Sequence, residues 1–90
     1  MLILGDIGNS ETKLFLVNSK NRILKKVSLS SKLMTHRIIN RKFKILTKDF
    51  KNIKKILFCS VVPKKFNSIK KFISKKTKVK CYEIKDLNLK

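Results

Sequence analysis

The amino terminus holds two short apolar segments separated by only a few residues, and this feature limits the folds open to the chain. Residues 1–6 predict an apolar strand that ends in the carboxylate of Asp6, and residues 13–17 predict a second strand. Between them, Gly8 and Asn9 are residue types that accept the positive φ angles of tight turns. A connection this short holds no helix, so the two strands are predicted to form an antiparallel hairpin.

The rest of the chain predicts a third strand and then two helix–strand units. From residue 18 onward the predicted elements are a turn (18–21), a strand (22–28), a serine-rich loop (28–32), a helix (35–48), a strand (55–62), a helix (63–76), a strand (79–84) and a loose tail (85–90). Both helices are predicted to be amphipathic, because apolar residues recur three or four positions apart. These residues are Ile39, Phe43 and Leu46 in the first helix and Phe66, Ile69 and Ile73 in the second. The unbroken apolar run at residues 56–59 predicts a strand covered on both faces.

The predicted order, β-β-β-α-β-α-β, indicates an α/β fold with a mixed, ribonuclease-H-like sheet. Three antiparallel strands come first, and two crossovers then add parallel strands. A chain of this size buries about 60–65% of its unfolded surface, which suffices for one core but not for a closed two-domain cleft. We therefore expect residues 1–90 to form a single N-terminal subdomain, with the second subdomain absent.

The formal net charge is +19, and two interpretations compete. A basic surface is typical of proteins that bind nucleic acid. However, the chain has 21 Lys against 3 Arg, together with 11 Ile and 7 Asn. These three abundant types have A/T-rich codons, and dedicated nucleic-acid binders more often use Arg. The lysines are also spread along the whole chain, which favours a composition bias over a nucleic-acid-binding module.

Few residue types are present that could form a metal cluster or a disulfide framework. Cys59 and Cys81 lie far apart in apolar segments, and His36 is the sole histidine, so free buried thiols are predicted rather than a zinc site. No stretch of about 18 apolar residues is present, and no signal peptide is recognised, so we expect a cytoplasmic protein that does not span a membrane.

The chemistry is concentrated in the first turn. Asp6 stands at a strand end, where one carboxylate can hold Mg²⁺ while water and phosphate oxygens complete the shell. Backbone N–H groups of a turn can point at phosphate. Asn9, Ser10 and Thr12 add short donors, and Lys13 adds a cation that can stabilise charge in phosphoryl transfer. The spacing alone is equally compatible with an ordinary β-hairpin.

The segment Asp6-Ile7-Gly8-Asn9-Ser10-Glu11-Thr12-Lys13 resembles the opening of type III pantothenate kinases, members of the actin-like ATPase superfamily. That family begins with an apolar strand followed by Asp-x-Gly-Asn-[Thr/Ser]. A second segment, Cys59-Ser60-Val61-Val62-Pro63, is similar to the family's Ser-Ser-Val-Val-Pro strand end, which also precedes a helix. The two segments in this order identify the chain as similar to the N-terminal portion of that family.

The resemblance implies ATP-dependent phosphorylation of pantothenate to 4′-phosphopantothenate, the first step of coenzyme A biosynthesis. It implies that Asp6 holds Mg²⁺, directly or through water, and that the turn binds the ATP phosphates. The residues implied in ATP binding are Asp6, Ile7, Gly8, Asn9, Ser10, Glu11, Thr12 and Lys13. It further implies a homodimer and a monovalent cation, K⁺ or NH₄⁺, in the complete enzyme.

The chain departs from the family pattern in three ways. Glu11 replaces a commonly uncharged residue and is expected to point away from phosphate, and Cys59 replaces a common Ser. The family's Gly-x-Asp-Arg segment, with the catalytic base, and its second Asp-x-Gly-Thr loop follow the region matched here. No catalytic residue is therefore predicted within this chain, which is expected to be inactive alone. The alternatives are a fragment of another actin-like kinase and a basic nucleic-acid-binding module.

Overall fold

A computed structural model describes residues 1–48 and 51–84, which form five strands and two helices. The elements are β1 (Leu2–Ile7), β2 (Glu11–Val17), β3 (Ile23–Ser30), α1 (His36–Leu46), β4 (Lys55–Ser60), α2 (Pro63–Lys76) and β5 (Cys81–Glu83). The predicted order and the α/β class are confirmed. The predicted tail at 85–90 lies outside the described residues.

The strands form one mixed sheet in the order β3-β2-β1-β4-β5. β1 pairs antiparallel with β2 and β2 pairs antiparallel with β3, as the two short turns predict. β4 pairs parallel with β1, and β5 pairs parallel with β4. A helix precedes each of these strands and carries the chain back to the end of the sheet at which β1 begins. β5 is an edge strand of the described sheet.

Both helices lie on one face of the sheet, which we call the helix face. This face and the inner sides of the helices share one core, made of Ile3, Ile7, Leu14, Leu16, Leu29, Ile39, Phe43, Leu46, Ile53, Ile56, Phe58, Phe66, Ile69, Phe72 and Ile73. The ring centroids of Phe43 in α1 and Phe72 in α2 are 6.1 Å apart, so the helices pack side by side. The predicted apolar residues of both helices are thus confirmed as core residues.

The opposite side, which we call the open face, carries no helix among the residues that the structure describes. Its apolar side chains come from the alternate positions of the same strands, and Leu2, Leu4, Phe15 and Leu57 are half-buried there. The prediction that the run at residues 56–59 is covered on both faces is therefore wrong for the described residues. Ile56 and Phe58 are fully buried on the helix face, whereas Leu57 and Cys59 alternate with them on the open face. An apolar residue type predicts that the side chain tends to be buried, but it does not predict which part of the protein buries it.

Local sequence signals explain where the two helices begin. Thr35 caps α1, and its Oγ1 accepts a hydrogen bond of 3.3 Å from the N–H of Ile38. Pro63 opens α2, where the missing N–H of proline leaves no intrahelical bond unmade. β3 runs on to Ser30, into the predicted loop, because its last residues pair with the start of β2.

Candidate phosphate-binding site

Asp6 lies near the carboxyl end of β1, in the middle of the sheet and on the open face. It is exposed to solvent, and its cross-strand neighbours on the same face are Lys13 of β2 and Cys59 of β4. A carboxylate is thus placed beside a half-buried lysine at the point where the chain leaves the sheet. This arrangement brings an oxygen ligand for a cation and a positive charge for a phosphate to one sheet position.

The turn after Asp6 is closed by a hydrogen bond of 3.0 Å from the Gly8 N–H to the Glu11 carbonyl oxygen. Gly8 and Asn9 are residue types that tolerate positive φ angles, but this turn does not use that tolerance. Neither has a positive φ, and among the described non-glycine residues Asn21 has one, at 63°. A side chain at Gly8 would instead be crowded. A Cβ there would lie 3.0 Å from the Glu11 carbonyl oxygen, which is closer than side chains normally approach.

The second hairpin turn, between β2 and β3, contains the residue with a positive φ angle. The Oδ1 of Asn18 accepts hydrogen bonds from the N–H groups of Lys20 and Arg22, at 2.9 and 3.0 Å. Asn21, a residue type that tolerates the left-handed region, closes this turn. The predicted turn at residues 18–21 is confirmed.

The two family-like segments, about fifty residues apart in sequence, lie side by side in the sheet. Asp6 is the parallel partner of Cys59, Ile7 is that of Ser60, and the N–H of Val61 donates to the Ile7 carbonyl oxygen at 3.1 Å. Ser60 Oγ then accepts a bond of 3.0 Å from the N–H of Val62, which turns the chain into α2. The start of α2 therefore lies at the same end of the sheet as the candidate phosphate-binding turn, and the positive end of a helix dipole favours anions.

Thr12 takes a different role from the one predicted. Its side chain is fully buried on the helix face, and its Oγ1 lies 2.7 Å from the Oγ of the fully buried Ser31. The expectation that Thr12 offers its hydroxyl to phosphate is therefore not met. The backbone N–H of Ser31 also donates to the Ser10 carbonyl oxygen at 3.0 Å, so this loop residue holds the turn at two points.

Sequence reasoning missed Ser31, which it placed in a serine-rich loop without a role. The partner of Ser31 lies 19 residues earlier in the chain. No local pattern records such a contact, and a small hydroxyl residue directly after a strand is the single available signal. The residue became recognisable only when β2 and β3 were paired in the structure.

The remaining predicted site residues fall into two groups. Asn9, Ser10 and Glu11 are exposed at the tip of the turn. Ile7 is fully buried and contributes to the core. An open cleft of about 600 Å³ begins at Ser10 and Glu11; its other lining residues are Ser28, Leu29, Ser30, Leu33, Ile38 and Lys42. Asp6 lies outside this cleft, on the open face.

Among residues 1–48 and 51–84, no group of three or more His, Cys, Asp or Glu side chains gathers as a metal cluster would. A single exposed carboxylate nevertheless fits Mg²⁺ bound with phosphate, since that ion usually takes one or two carboxylates and completes its shell with water and phosphate oxygens. No described helix is long and apolar enough to cross a membrane.

The cysteines are free thiols, as predicted, and both are half-buried. They lie on opposite faces of the sheet, because Cys59 is on the open face while Cys81 pairs with Ile56 on the helix face. Burial raises the pKa of the Cys81 thiol from an ordinary value of 9.0 to about 11, and the nearby positive charge of Lys70 offsets part of that effect.

Comparison with known proteins decides the family. The family described as type III pantothenate kinase matches residues 2–90, which is almost the whole chain. The chain belongs to the type III pantothenate kinase family. It is 55% identical over 89 residues to the type III pantothenate kinase of Pelagibacter ubique strain HTCC1062. That match covers 99% of this chain and 36% of the relative, so the chain spans just over a third of the relative's length.

A solved structure supports the fold alone. A protein from Sinorhizobium meliloti, assigned as a 2-dehydro-3-deoxygalactonokinase, superimposes with a TM-score of 0.51 at 13% identity. The match covers 68% of this chain and 21% of that protein. The shared fold agrees with the predicted α/β class and its β-β-β-α-β-α-β order. Membership of the type III pantothenate kinase family also decides against a fragment of a different actin-like kinase.

Proposed function

We propose that this chain supplies the ATP phosphate-binding part of a type III pantothenate kinase, which phosphorylates pantothenate to 4′-phosphopantothenate. The observation that carries the proposal is the side-by-side pairing of the two family segments, with Asp6 exposed between Lys13 and Cys59. Because the chain spans 36% of its relative, the activity is proposed for the longer protein to which such a segment contributes.

Within the turn, the proposed roles follow the accessibility of each side chain. Asp6 would hold Mg²⁺, which when bound neutralises charge on the phosphate oxygens of ATP. Exposed Asn9 and Ser10 at the tip would contact phosphate, and Lys13 beside Asp6 would attract its negative charge. Gly8 keeps the turn closed, with its N–H committed to the Glu11 carbonyl oxygen.

The other partners follow from the family and not from the described residues. We propose that the part of the family protein that this chain does not span supplies the catalytic base and most of the pantothenate pocket. A monovalent cation, a homodimer and a cytoplasmic location are proposed on the same ground. Useful phosphoryl transfer needs reacting groups held within about an ångström of the productive geometry, which one wall of a cleft does not achieve.

Activity assays test the proposal most directly. The purified chain alone should show no pantothenate-dependent ATP consumption. Co-expression with the unmatched 64% of the Pelagibacter ubique relative should restore it, and Asp6→Asn should remove it again. If the chain alone turns over substrate and this activity depends on Asp6, the chain needs no second part for catalysis. If the restored activity is unchanged by Asp6→Asn, the proposed role of this carboxylate is wrong.

Nucleotide binding separates the role of Asp6 from general charge effects. In titrations of the chain with ATP followed by amide NMR, Mg²⁺ should strengthen ATP binding. The amide resonances of the turn and of the carboxyl end of β4 should change their chemical shifts. Asp6→Asn should remove the Mg²⁺ dependence, a loss of about tenfold in affinity or 1.4 kcal/mol. The matched control is Glu11→Gln, which removes another exposed carboxylate of the same turn and should leave the Mg²⁺ dependence intact. Equal effects of the two variants would contradict the assignment.

A further inference from the structure

The core beneath the candidate phosphate-binding turn contains a pair of polar side chains. Among the buried residues that the structure describes, the polar ones are Thr12 and Ser31, and both are fully excluded from water. Their hydroxyl oxygens lie 2.7 Å apart, so the two side chains form a hydrogen bond with each other. A buried hydroxyl costs free energy unless it is paired, whereas apolar side chains of similar shape would need no partner here. Packing alone therefore does not explain why this pair is polar.

Ser31 contacts the turn on both sides of Glu11. Before Glu11, the Ser10 carbonyl oxygen accepts a hydrogen bond of 3.0 Å from the N–H of Ser31. After Glu11, the hydroxyl pair joins Ser31 to the side chain of Thr12. We call these two contacts the Ser31 clamp. Because Ser31 is fully buried and directly follows the last residue of β3, the clamp ties the turn to a fixed point of the core.

The tip of the turn depends on such support, because its own side chains do not pack. Asn9, Ser10 and Glu11 are all exposed to solvent. On the β1 side, the backbone of Glu11 is held by the hydrogen bond that its carbonyl oxygen accepts from the N–H of Gly8. On the β3 side, it is held by the Ser31 clamp. The backbone of an exposed residue is thus fixed from two directions by its neighbours.

The clamp also determines where one backbone donor points. The Ser10 carbonyl oxygen is directed at the N–H of Ser31, at the end of β3. A planar trans peptide group directs its C=O and its N–H to opposite sides, so the N–H of Glu11, in the same peptide group, points toward β1. Within residues 1–48 and 51–84, no acceptor is paired with the N–H groups of Asn9, Ser10 or Glu11. Unpaired N–H groups of a turn can bind an anion.

We propose that Ser31 is a positioning residue for the ATP phosphates: the Ser31 clamp holds the peptide group between Ser10 and Glu11 so that the N–H of Glu11 stays directed at bound phosphate. The inference rests on the proposed function and deepens it, because it names a residue that acts on the site without contacting ATP. A donor that is already oriented needs no rearrangement when phosphate binds. The backbone of Glu11 makes this contact, so replacement of its exposed carboxylate leaves the contact in place.

Titration with ATP and Mg²⁺, followed by amide NMR of the folded chain, tests the positioning role. Thr12→Val removes the hydroxyl bond with little change of shape and should weaken ATP binding roughly fivefold to tenfold. Thr12→Ser keeps a hydroxyl at this position and should retain the affinity that Thr12→Val loses. The control is Ile73→Val, which removes a fully buried methylene near the carboxyl end of α2. It should lower the stability of the chain but leave ATP binding unchanged, which separates positioning from a general loss of stability.

Hydrogen exchange tests the clamp in the absence of nucleotide. The amide of Ser31 should exchange roughly tenfold faster in Thr12→Val than in Thr12→Ser, beyond the change that global unfolding causes in Ile73→Val. If circular dichroism shows that Thr12→Val does not fold, Ser31→Ala removes the same hydroxyl bond from the other side and takes its place in both measurements.

The outcomes separate this inference from the proposed function. If the unchanged chain binds ATP with Mg²⁺ and Thr12→Val binds it equally well, the positioning role is wrong and the proposed function stands. The positioning role is also wrong if Thr12→Ser loses as much affinity as Thr12→Val, or if Ile73→Val does. If the unchanged chain binds no ATP with Mg²⁺, the proposed function fails and the positioning role fails with it, whatever the exchange rates are.

Discussion

The two faces of the sheet are built from alternating residues of the same strands, yet they differ in almost every physical property. The helix face is packed, with Ile3, Ile56 and Phe58 fully excluded from water. The open face has half-buried apolar residues, lysines beside its aromatic rings, and the exposed Asp6. The difference teaches that the helix face holds the main core, while the open face keeps exposed groups that are available for binding.

Substitution of adjacent residues of β4 should show the largest contrast. Ile56→Ala removes fully buried atoms and should lower the free energy of unfolding by about 2–5 kcal/mol. Leu57→Ala, the matched neighbour on the open face, should cost about 1 kcal/mol, because much of its side chain already contacts water. Urea unfolding of both variants measures the difference. Equal costs would mean that the open face is packed as tightly as the helix face.

A substitution that adds volume tests how tightly the helix face is packed. A Cβ on Gly5 would overlap the ring of Phe58, which packs across this glycine. Gly5→Ala should therefore lower the free energy of unfolding by about 1–3 kcal/mol through overpacking. Phe58→Leu in the same chain should recover part of that loss, and a double-mutant cycle from urea unfolding measures the coupling. Strictly additive costs would contradict the steric explanation.

The buried hydroxyl pair tests how the helix face supports the candidate phosphate-binding turn. Thr12→Val leaves the Ser31 hydroxyl buried without its partner and should lower the free energy of unfolding by about 1–2 kcal/mol. Adding Ser31→Ala removes the second hydroxyl, so the double variant should lose less than the sum of the single losses. Thermal or urea unfolding of the four proteins checks this. A loss in the double variant that equals the sum of the two single losses would show that the two hydroxyls act independently.

Cys81 gives a contrast that is measured as a reaction rate and does not enter the free energy of unfolding measured above. The raised pKa of Cys81, about 11 instead of 9.0, lowers its thiolate fraction at pH 8 by roughly a hundredfold, because a higher pKa keeps the thiol protonated. In a Cys59→Ser variant, alkylation of Cys81 at pH 8 should be slow and should accelerate about tenfold per pH unit below its pKa. The same reaction in urea is the control, and equal rates in the folded and unfolded chain would rule out the effect of burial.

Sequence patterns predicted most of the fold because the relevant information is local. Apolar spacing gave the inner sides of both helices, and short polar turns gave the antiparallel strands. The errors came where the information is not local. The apolar run of β4 did not reveal that its second face lacks a helix, and the composition of the first turn did not reveal that Asn21, in the second turn, takes the positive φ angle.

For the candidate site, the sequence by itself determined the residue types and their family. The carboxylate of Asp6, the polar turn and the strand end at residues 59–63 are readable as motifs, and the family comparison confirms what they indicate. The tertiary structure decided which of these groups are accessible. Strand register places Asp6 and Lys13 on the open face and turns Thr12 toward Ser31 in the core. The physical reason is that side chains alternate across a strand, so a motif fixes the chemistry of its residues, whereas pairing and the helix layer decide which of them meet solvent.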